Sequence, residues 1–373
     1  MSRVIVRSAE YRYEVLRSQI FDMMESFDGG LIRSTSKVLI KPNLLAPAAP
    51  DRAMLTHPMI VRAVAEYVIA KGTRPQISDS PATGFFDRVL RDSGIKKELN
   101  GLDVEFKEFK TSLKVDVGEP FNKLEIAEDA LRADVLINLP KLKTHSQMLL
   151  TLGIKNLFGC VVGFRKPEWH LRAGIDRHKF AQLLVRIHEA LRPAITILDG
   201  ILAMEGQGPG KSGTPRQMGV LMASDNAAAL DETVCRMLGL DPEALLTNKV
   251  MREFCGFDEH IHVEGDLPQI GDFKFPAIMP LVFGPKSIHG FLRKYLVQRP
   301  VVTSSLCKLC GECWRYCPAE AISHNRQSVT FDYDKCIRCY CCLEVCPHGV
   351  LKAAEPLPGK ILNRFVFKDR CFG

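Results

Sequence analysis

Short apolar runs alternate with longer segments of helical periodicity over the first 285 residues of the chain. The runs are rich in Val and Ile and occupy residues 4–6, 38–40, 76–78, 104–106, 135–139, 194–198 and 220–222. Apolar positions at helical spacing lie between them, most clearly at 58–70, 178–191, 227–238 and 242–254. This alternation predicts an α/β fold with a mostly parallel sheet that is covered by helices on both faces.

Charged and polar side chains follow several of the predicted strands directly. Ligands of open α/β sheets bind outside the carboxyl ends of the strands, so these side chains predict a binding site at that edge. Lys155 lies inside an apolar segment, where an ammonium without an anionic partner would be costly. The candidate anion-binding residues are Lys41, Asn43, His57, Asp79, Lys141, Lys143, His145, Lys155, Asn156, His170, Asp199 and Glu205. The catalytic candidates among them are Lys143, His145 and Glu205.

A glycine-rich segment at 204–213 ends in Gly210-Lys211-Ser212, as a phosphate-binding loop does. Glu205 stands where such a loop has its first glycine, and Thr214-Pro215 replaces the helix that should follow. Nucleotide hydrolysis is therefore not indicated. Dinucleotide binding is not indicated either, because the spacing Gly208-x-Gly210-x-x-Gly213 leads into Thr214-Pro215 rather than into a helix.

Eight cysteines near the C-terminus occur in two copies of one spacing. The copies are Cys307-x2-Cys310-x2-Cys313-x3-Cys317-Pro318 and Cys336-x2-Cys339-x2-Cys342-x3-Cys346-Pro347. Such runs ligate [4Fe-4S] clusters, and the fourth cysteine of each run reaches the other cluster. The pattern predicts one cluster on Cys307, Cys310, Cys313 and Cys346, and a second on Cys336, Cys339, Cys342 and Cys317. Residues 301–355 resemble the bacterial two-cluster ferredoxin, which implies a small α+β domain.

Structural zinc is the main alternative for these cysteines. Zinc sites usually combine two close ligands, a long gap and two more ligands, whereas here three ligands at x2 spacing precede x3-Cys-Pro. The spacing therefore favours clusters. Since no cationic segment followed by an apolar one begins the chain, we predict a cytoplasmic location and no disulfide framework. Cys341 lies outside the motif and could compete with Cys342 for iron.

The net charge of +7 falls after residue 285, where fourteen Lys and Arg face seven Asp and Glu. Two clusters with four thiolates each would bring in about four negative charges, which these basic residues can compensate. No aromatic–basic platform or recognition-helix pattern appears, so no nucleic-acid partner is predicted. No apolar run is long enough to cross a bilayer, so no transmembrane segment is predicted.

Length and composition divide the chain of 373 residues into a large domain and a small one. We predict an α/β domain at 1–285, a linker at 286–300, a ferredoxin-like domain at 301–355 and a C-terminal tail at 356–373.

Six ordered motifs over residues 36–230 resemble a bacterial and archaeal family with a domain of unknown function, which is commonly fused to a two-cluster ferredoxin. The motifs are Lys41-Pro42-Asn43-Leu44-Leu45, Thr56-His57-Pro58, Asp79-Ser80-Pro81, the run from Ile137 to His145, the run from Gly153 to Gly159, and Asp199-Gly200-Ile201 leading to Met204-Glu205-Gly206 and Gly208-Pro209. Members of this family are described as iron–sulfur cluster-binding proteins. The resemblance implies no particular reaction.

Three classes of function remain open. The first is an iron–sulfur-dependent oxidoreductase that passes low-potential electrons from two [4Fe-4S] clusters to an anionic small molecule at the strand ends. The second is an electron carrier or docking subunit that has no chemistry of its own and serves a redox partner protein. The third is a metal- or cofactor-handling protein with His57, His145 and His170 as ligands. Because clusters deliver single electrons, the first class raises the question of an additional, unidentified cofactor in the α/β domain.

Overall fold

A mostly parallel β-sheet runs through the N-terminal part of the protein. The computed structural model describes residues 2–256, 260–276, 291, 294–359 and 361. The central sheet has the order β12-β1-β11-β10-β7-β2-β3-β4, with β8 and β9 joined to β10. In this order only the pairs that include β11 are antiparallel. The strands are β1 (Ser2–Ser8), β2 (Val38–Pro42), β3 (Gln76–Ile77), β4 (Glu105–Phe106), β5 (Ser112–Asp116), β6 (Lys123–Ala127), β7 (Val135–Leu139), β8 (Lys141–His145), β9 (Leu149–Thr151), β10 (Ile195–Gly206), β11 (Gly213–Ser224) and β12 (Ile261–Glu264).

Helices cover both faces of this sheet. Successive residues of a strand point to opposite faces, so Ile40 of β2 packs in one core and Leu39 in another. The first core includes α1 and α2, and the second includes α8 and α10. The helices are α1 (Tyr13–Asp28), α2 (Pro58–Ala70), α3 (Phe86–Asp92), α4 (Ile95–Glu98), α5 (Glu128–Leu131), α6 (Gly153–Asn156), α7 (Arg165–Ala173), α8 (Arg177–Leu191), α9 (Ala227–Met237) and α10 (Leu246–Cys255), with short 3-10 turns at Pro50–Arg52, Leu157–Cys160 and Pro242–Ala244. The predicted α/β fold is confirmed.

The C-terminal region forms a small unit of short strands and helices. Strands β13 (Arg299–Val302) and β16 (Leu351–Ala354) pair antiparallel, as do β14 (Ile322–His324) and β15 (Val329–Phe331). A 3-10 turn at Ser304–Leu306 and the helices α11 (Glu312–Arg315) and α12 (Cys341–Val345) complete it. The predicted boundary at residue 285, part of the predicted linker and most of the predicted tail lie outside the described residues, so the domain limits stay predictions.

The C-terminal unit packs against the edge of the sheet where β2, β3 and β7 end. Ser212 Oγ, in the connection between β10 and β11, donates a hydrogen bond to the carbonyl oxygen of Leu351 at 2.8 Å. On the other side of the contact, the ring of Phe164 stacks on Tyr316 with their centroids 5.0 Å apart. This packing brings α12 next to the polar side chains that follow the strands.

Candidate functional site

The eight motif cysteines line two small cavities in the C-terminal unit. One cavity is lined by Cys307, Cys310, Cys313 and Cys346, and the other by Cys317, Cys336, Cys339 and Cys342. Each cavity therefore takes three cysteines from one run and the fourth from the other, which is the grouping of the crossed pattern. Ligation by these thiols stays a prediction.

The chemistry of the first cavity fits a metal cluster. The pKa of the Cys313 thiol is raised to about 12, mainly by burial and also by the neighbouring Cys310, Cys346 and Cys307. Four thiols that oppose one another's ionisation in an apolar cavity are stable as thiolates only around cationic metal. These cysteines are suited to hold iron, since clusters are bound through thiolates.

A third cavity of about 80 Å³ lies between the sheet edge and the C-terminal unit. The α/β domain contributes side chains from the ends of β2 and β3, from β8, and from α6 and α7. The C-terminal unit contributes α12, through Cys341 and Glu344, and also Tyr316. The cavity therefore belongs to both parts of the protein.

Four lysines and two carboxylates line this cavity, which leaves an excess of positive charge. Lys41 is paired with Asp79, with 3.0 Å between Nζ and Oδ1. Lys143 donates to the side-chain oxygen of Asn43 and to the carbonyl of Met54, both at 2.7 Å. The ammonium of Lys155 makes no hydrogen bond or ion pair with the residues that the structure describes.

Lys166 is the fourth lysine of the cavity, and its ammonium donates to the carbonyl oxygen of Ser80 at 2.7 Å. A carbonyl oxygen satisfies a donor without neutralising its charge. Lys143, Lys155 and Lys166 thus face the two carboxylates, of which Asp79 is already paired with Lys41. An anion in the cavity would be attracted by this excess.

Burial shifts the basic groups of the cavity towards their neutral forms. Burial, together with repulsion from Lys155, lowers the pKa of Lys143 to about 7. Burial likewise lowers the pKa of Lys166 to about 8 and that of His145 to about 4. His170, which stacks on Phe180 at 4.2 Å, has its pKa lowered to about 3 by burial. Both histidines are therefore neutral near pH 7, and Lys143 is partly protonated.

His145 faces Glu344 across the contact between the two parts. Its Nδ1 accepts hydrogen bonds from the backbone N–H groups of Gln147 and Met148 at 3.1 and 3.2 Å, so the ring proton is assigned to Nε2. Nε2 lies 2.9 Å from Glu344 Oε1. Although burial alone would raise the pKa of Glu344, His145 and Lys155 lower it to about 2, so the group is a carboxylate.

Several buried polar atoms of the cavity have no directed hydrogen-bond partner among the described residues. They are His145 Nε2, Thr151 Oγ1, His170 Nδ1 and Glu344 Oε1. The close contact between His145 Nε2 and Glu344 Oε1 lies outside hydrogen-bond geometry. Most buried polar atoms in folded proteins do have a partner, and exceptions mark strain, a functional role or a bound group. Their concentration in one cavity indicates a ligand site.

Four of the residues predicted from the sequence lie outside the lining of this cavity: His57, Lys141, Asp199 and Glu205. Lys141 was expected beside Lys143, but Asp199 lies opposite it on β10 and pairs with its ammonium at 2.6 Å. The amide of His57 also donates to Asp199, and its ring stacks on Tyr11. The prediction that Lys141 joins the pocket is wrong, because a neighbouring strand supplies its counter-ion.

Glu205 also has protein partners of its own. It accepts hydrogen bonds from Arg216 Nη1 at 3.0 Å and from the backbone N–H of Lys274 at 3.1 Å. The remaining candidates, Lys41, Asn43, Asp79, Lys143, His145, Lys155, Asn156 and His170, all line the cavity. Anion binding by these residues stays a prediction.

Comparison with known proteins assigns the two parts to families. A family model described as Domain of unknown function (DUF362) matches residues 38–236, more than half of the chain. The protein belongs to this family. A model described as a 4Fe-4S dicluster domain matches residues 299–347 of the DUF362 protein. Its C-terminal unit is thus a 4Fe-4S ferredoxin-like domain.

Relatives of this DUF362 protein include the thylakoid-associated protein sll1697 of Synechocystis sp., which is 40% identical over 245 residues, or 65% of this chain and 76% of that protein. The pyruvate synthase subunit PorD of Thermotoga maritima is 40% identical over 57 residues, which are 15% of this chain and 58% of that protein. PorD of Methanocaldococcus jannaschii is 34% identical over 82 residues, or 21% of this chain and 95% of that protein. The match to a 4Fe-4S dicluster domain supports a role in electron transfer.

The lactate racemase apoprotein from Thermoanaerobacterium thermosaccharolyticum has a TM-score of 0.41 and 13% identity, and covers 62% of this chain and 55% of that chain. A likeness at this level supports no conclusion about activity. None of the helices in the described part of the DUF362 chain is long and apolar enough to cross a membrane. The predicted cytoplasmic location stays a prediction, since the Synechocystis relative is named as thylakoid-associated.

Sequence reasoning missed three side chains of the cavity in this DUF362 protein. Lys166 and Thr151 follow no predicted strand end, and Glu344 lies inside a cysteine run. The available signal for Glu344 was its place between Cys342 and Cys346, because a negative charge is unfavourable beside thiolates. Cys341, whose role was left open, lines the cavity beside Glu344.

Proposed function

We propose that this protein is an iron–sulfur oxidoreductase that transfers electrons to or from a small anion bound in the interdomain cavity. One observation carries the proposal: a single short helix, α12, serves two sites. Its Cys342 lines the second cysteine cavity, while Cys341 and Glu344 line the interdomain cavity. Since consecutive residues are about 3.8 Å apart, a molecule beside Cys341 lies within a short distance of a cluster ligand.

The charges of the cavity support an anionic substrate. Among the described residues, none of Lys143, Lys155 and Lys166 forms an ion pair with a carboxylate. Glu344 lies nearby but contacts His145. Burying such charges is costly unless a counter-ion arrives. The volume of about 80 Å³ corresponds to roughly five to eight water-sized groups, which fits a small organic acid better than a flavin or nicotinamide.

The cysteines support electron entry from outside the protein. Cys310 is exposed, whereas Cys339 and Cys342 of the second cavity are buried. A [4Fe-4S] cluster on each set of thiolates would supply single electrons at low potential. A redox partner protein would therefore dock near Cys310, and the anion would occupy the opposite, buried end. Two clusters per chain and the crossed ligand set are part of this proposal.

Two side chains of the cavity are suited to carry protons. Lys143 has a pKa near neutrality, so its ammonium can release a proton at Nζ and regain it. His145 carries its proton on Nε2, and its Nδ1 is occupied by two backbone donors. We therefore keep Lys143 and His145 as catalytic candidates. Glu205 is not retained, because its carboxylate is held by Arg216.

A carrier without chemistry of its own is the second candidate, favoured by the similarity to PorD subunits. The test uses the full-length, cluster-loaded protein, reduced under anaerobic conditions and freed of excess reductant. We expect small reducible carboxylates, such as 2-oxobutyrate or crotonate, to restore the visible absorbance of the oxidised protein in the wild type. The same should hold in the Lys110→Met control, which changes an exposed lysine.

In Lys155→Met the reoxidation by the same anion should be lost, while the content of iron and the reduction by dithionite stay unchanged. If no small anion reoxidises the wild type but protein acceptors do so equally well in all three proteins, the carrier hypothesis replaces the proposal.

A further inference from the structure

The atoms that lack partners in the interdomain cavity are of two chemical kinds. Lys155 offers an ammonium, and His145 offers a ring N–H, so both are donors. Glu344 Oε1 is an acceptor, and no described residue directs a hydrogen bond to it. A plain carboxylate supplies acceptors only, so it would leave this oxygen unsatisfied and would place two negative charges side by side.

We infer that the cavity selects a small carboxylate that also carries a hydroxyl group. The carboxylate of such a molecule contacts Lys143 of β8 and Lys155 of α6, and its hydroxyl donates to Glu344 Oε1. This inference rests on the proposed function, because it specifies the substrate class of the same site. It makes Glu344, a residue of the ferredoxin-like domain, a specificity-determining residue.

Charge separates a hydroxyl from the other donor that could satisfy a carboxylate, an ammonium group. Four lysines and two carboxylates line the cavity, and both cavity histidines are neutral near pH 7. A ligand ammonium would be repelled by this excess of cations, whereas a hydroxyl donates without adding charge. Buried His145, Thr151 and His170, all less than 5% exposed, present their unpartnered atoms to the same space.

The test compares three probes with the same four-carbon chain: butyrate, 2-hydroxybutyrate and 2-aminobutyrate. Each is titrated calorimetrically into full-length, cluster-loaded protein under anaerobic conditions. We expect 2-hydroxybutyrate to bind at least about tenfold more tightly than butyrate, because its hydroxyl adds a hydrogen bond to a charged group, which is stronger than a neutral one. The amino acid should bind more weakly than the hydroxy acid.

Glu344→Gln should change the two acids in opposite directions. Butyrate should bind more tightly, because a negative charge has left the cavity, and 2-hydroxybutyrate should lose most of its advantage. Lys155→Met should weaken both acids. The control is Glu320→Gln, which changes an exposed carboxylate of the same domain and should alter neither affinity. Iron content and the visible spectrum are measured for each variant.

The outcomes separate this inference from the proposed function. If the wild type binds neither acid, the anion site itself is refuted. If it binds both acids equally, the anion site stands, water satisfies Glu344 and the inference is overturned. A preference for 2-aminobutyrate would also overturn it. If Glu344→Gln loses its iron, the preferences of the wild type and of Lys155→Met decide the matter alone.

Discussion

Replacing Lys141 and Lys155, each by methionine, should separate binding from stability. Lys141 is paired with Asp199 at 2.6 Å, and the side chains are 1% and 0% exposed. Lys155 lines the interdomain cavity and has no ion-pair partner among the described residues. We therefore expect Lys141→Met to destabilise the fold and Lys155→Met to abolish anion binding.

The magnitudes follow from what each substitution leaves behind. Lys141→Met leaves the Asp199 carboxylate buried, with hydrogen bonds from Tyr11 OH and the backbone amides of His57 and Ile201 but no counter-ion. Breaking a buried pair in this way costs about 3–5 kcal/mol. Lys155→Met removes an ammonium that has no ion pair among the described residues but helps to keep Glu344 ionised, so any loss of stability should be smaller than for Lys141→Met. A unit charge about 4 Å from an anion contributes about 4 kcal/mol at an effective dielectric constant of 20, or roughly a thousandfold in Kd.

The assay measures both quantities on the same proteins. Urea denaturation of the cluster-loaded chains gives the free energy of unfolding, and calorimetric titration with butyrate gives Kd. The argument would be refuted if Lys155→Met lowered stability by several kcal/mol and kept its affinity for butyrate, because Lys155 would then be part of a structural ion pair. Loss of binding in Lys141→Met without loss of stability would refute it equally.

Three further predictions concern the same two sites. Gly159→Ala should lower stability by about 1–3 kcal/mol in urea denaturation, because a Cβ there meets both members of the buried lysine–aspartate pair; Gly271→Ala, which meets nothing, should be neutral. Because the pKa of Lys143 is lowered to about 7 from 10.5, butyrate binding should weaken as pH rises through 7, and Lys143→Met should remove this dependence. Between pH 7 and 10.5 the unfolded chain binds more protons at Lys143 than the folded chain does, so the contribution of Lys143 to the free energy of unfolding rises with pH. By electron paramagnetic resonance, Cys317→Ser should perturb the cluster of the second run and Cys346→Ser that of the first.

Local patterns predicted seven strands and four helices of the α/β domain but missed others, among them the helix Tyr13–Asp28. The helix Pro58–Ala70 and the strand Val135–Leu139 have the predicted bounds, because proline starts the helix and apolar residues fill the strand. The strand predicted at 194–198 instead runs to Gly206. Gly200 indicated an end, but the strand continues through a register shift because β11 pairs with it along its length.

The site was predictable only as far as strand order determines it. Parallel strands bring their carboxyl ends to one edge, so Lys41, Asp79 and Lys143 were expected to be neighbours. The period of two could not separate Lys141 from Lys143, because both point to the same face of β8. Their different fates depend on the partner strand, where Asp199 lies opposite Lys141 and Met204 opposite Lys143. The part played by Glu344 depends on how the two domains pack, which no local pattern contains.

The ferredoxin-like domain packs against the edge of the sheet where β2, β3 and β7 end. This packing changes which faces of the ferredoxin-like domain solvent can reach. Cys310 of the first run is exposed, whereas Cys342 of the second run and its neighbour Cys341 are buried. Cys341 lines the interdomain cavity, so a molecule in that cavity lies next to a cysteine of the second set. The same packing brings the Glu344 carboxylate to Lys155 and His145, so the cavity has its full set of charges only when the domains are together. Electron delivery and substrate selection would then both depend on this one contact, which explains why the two domains share a chain.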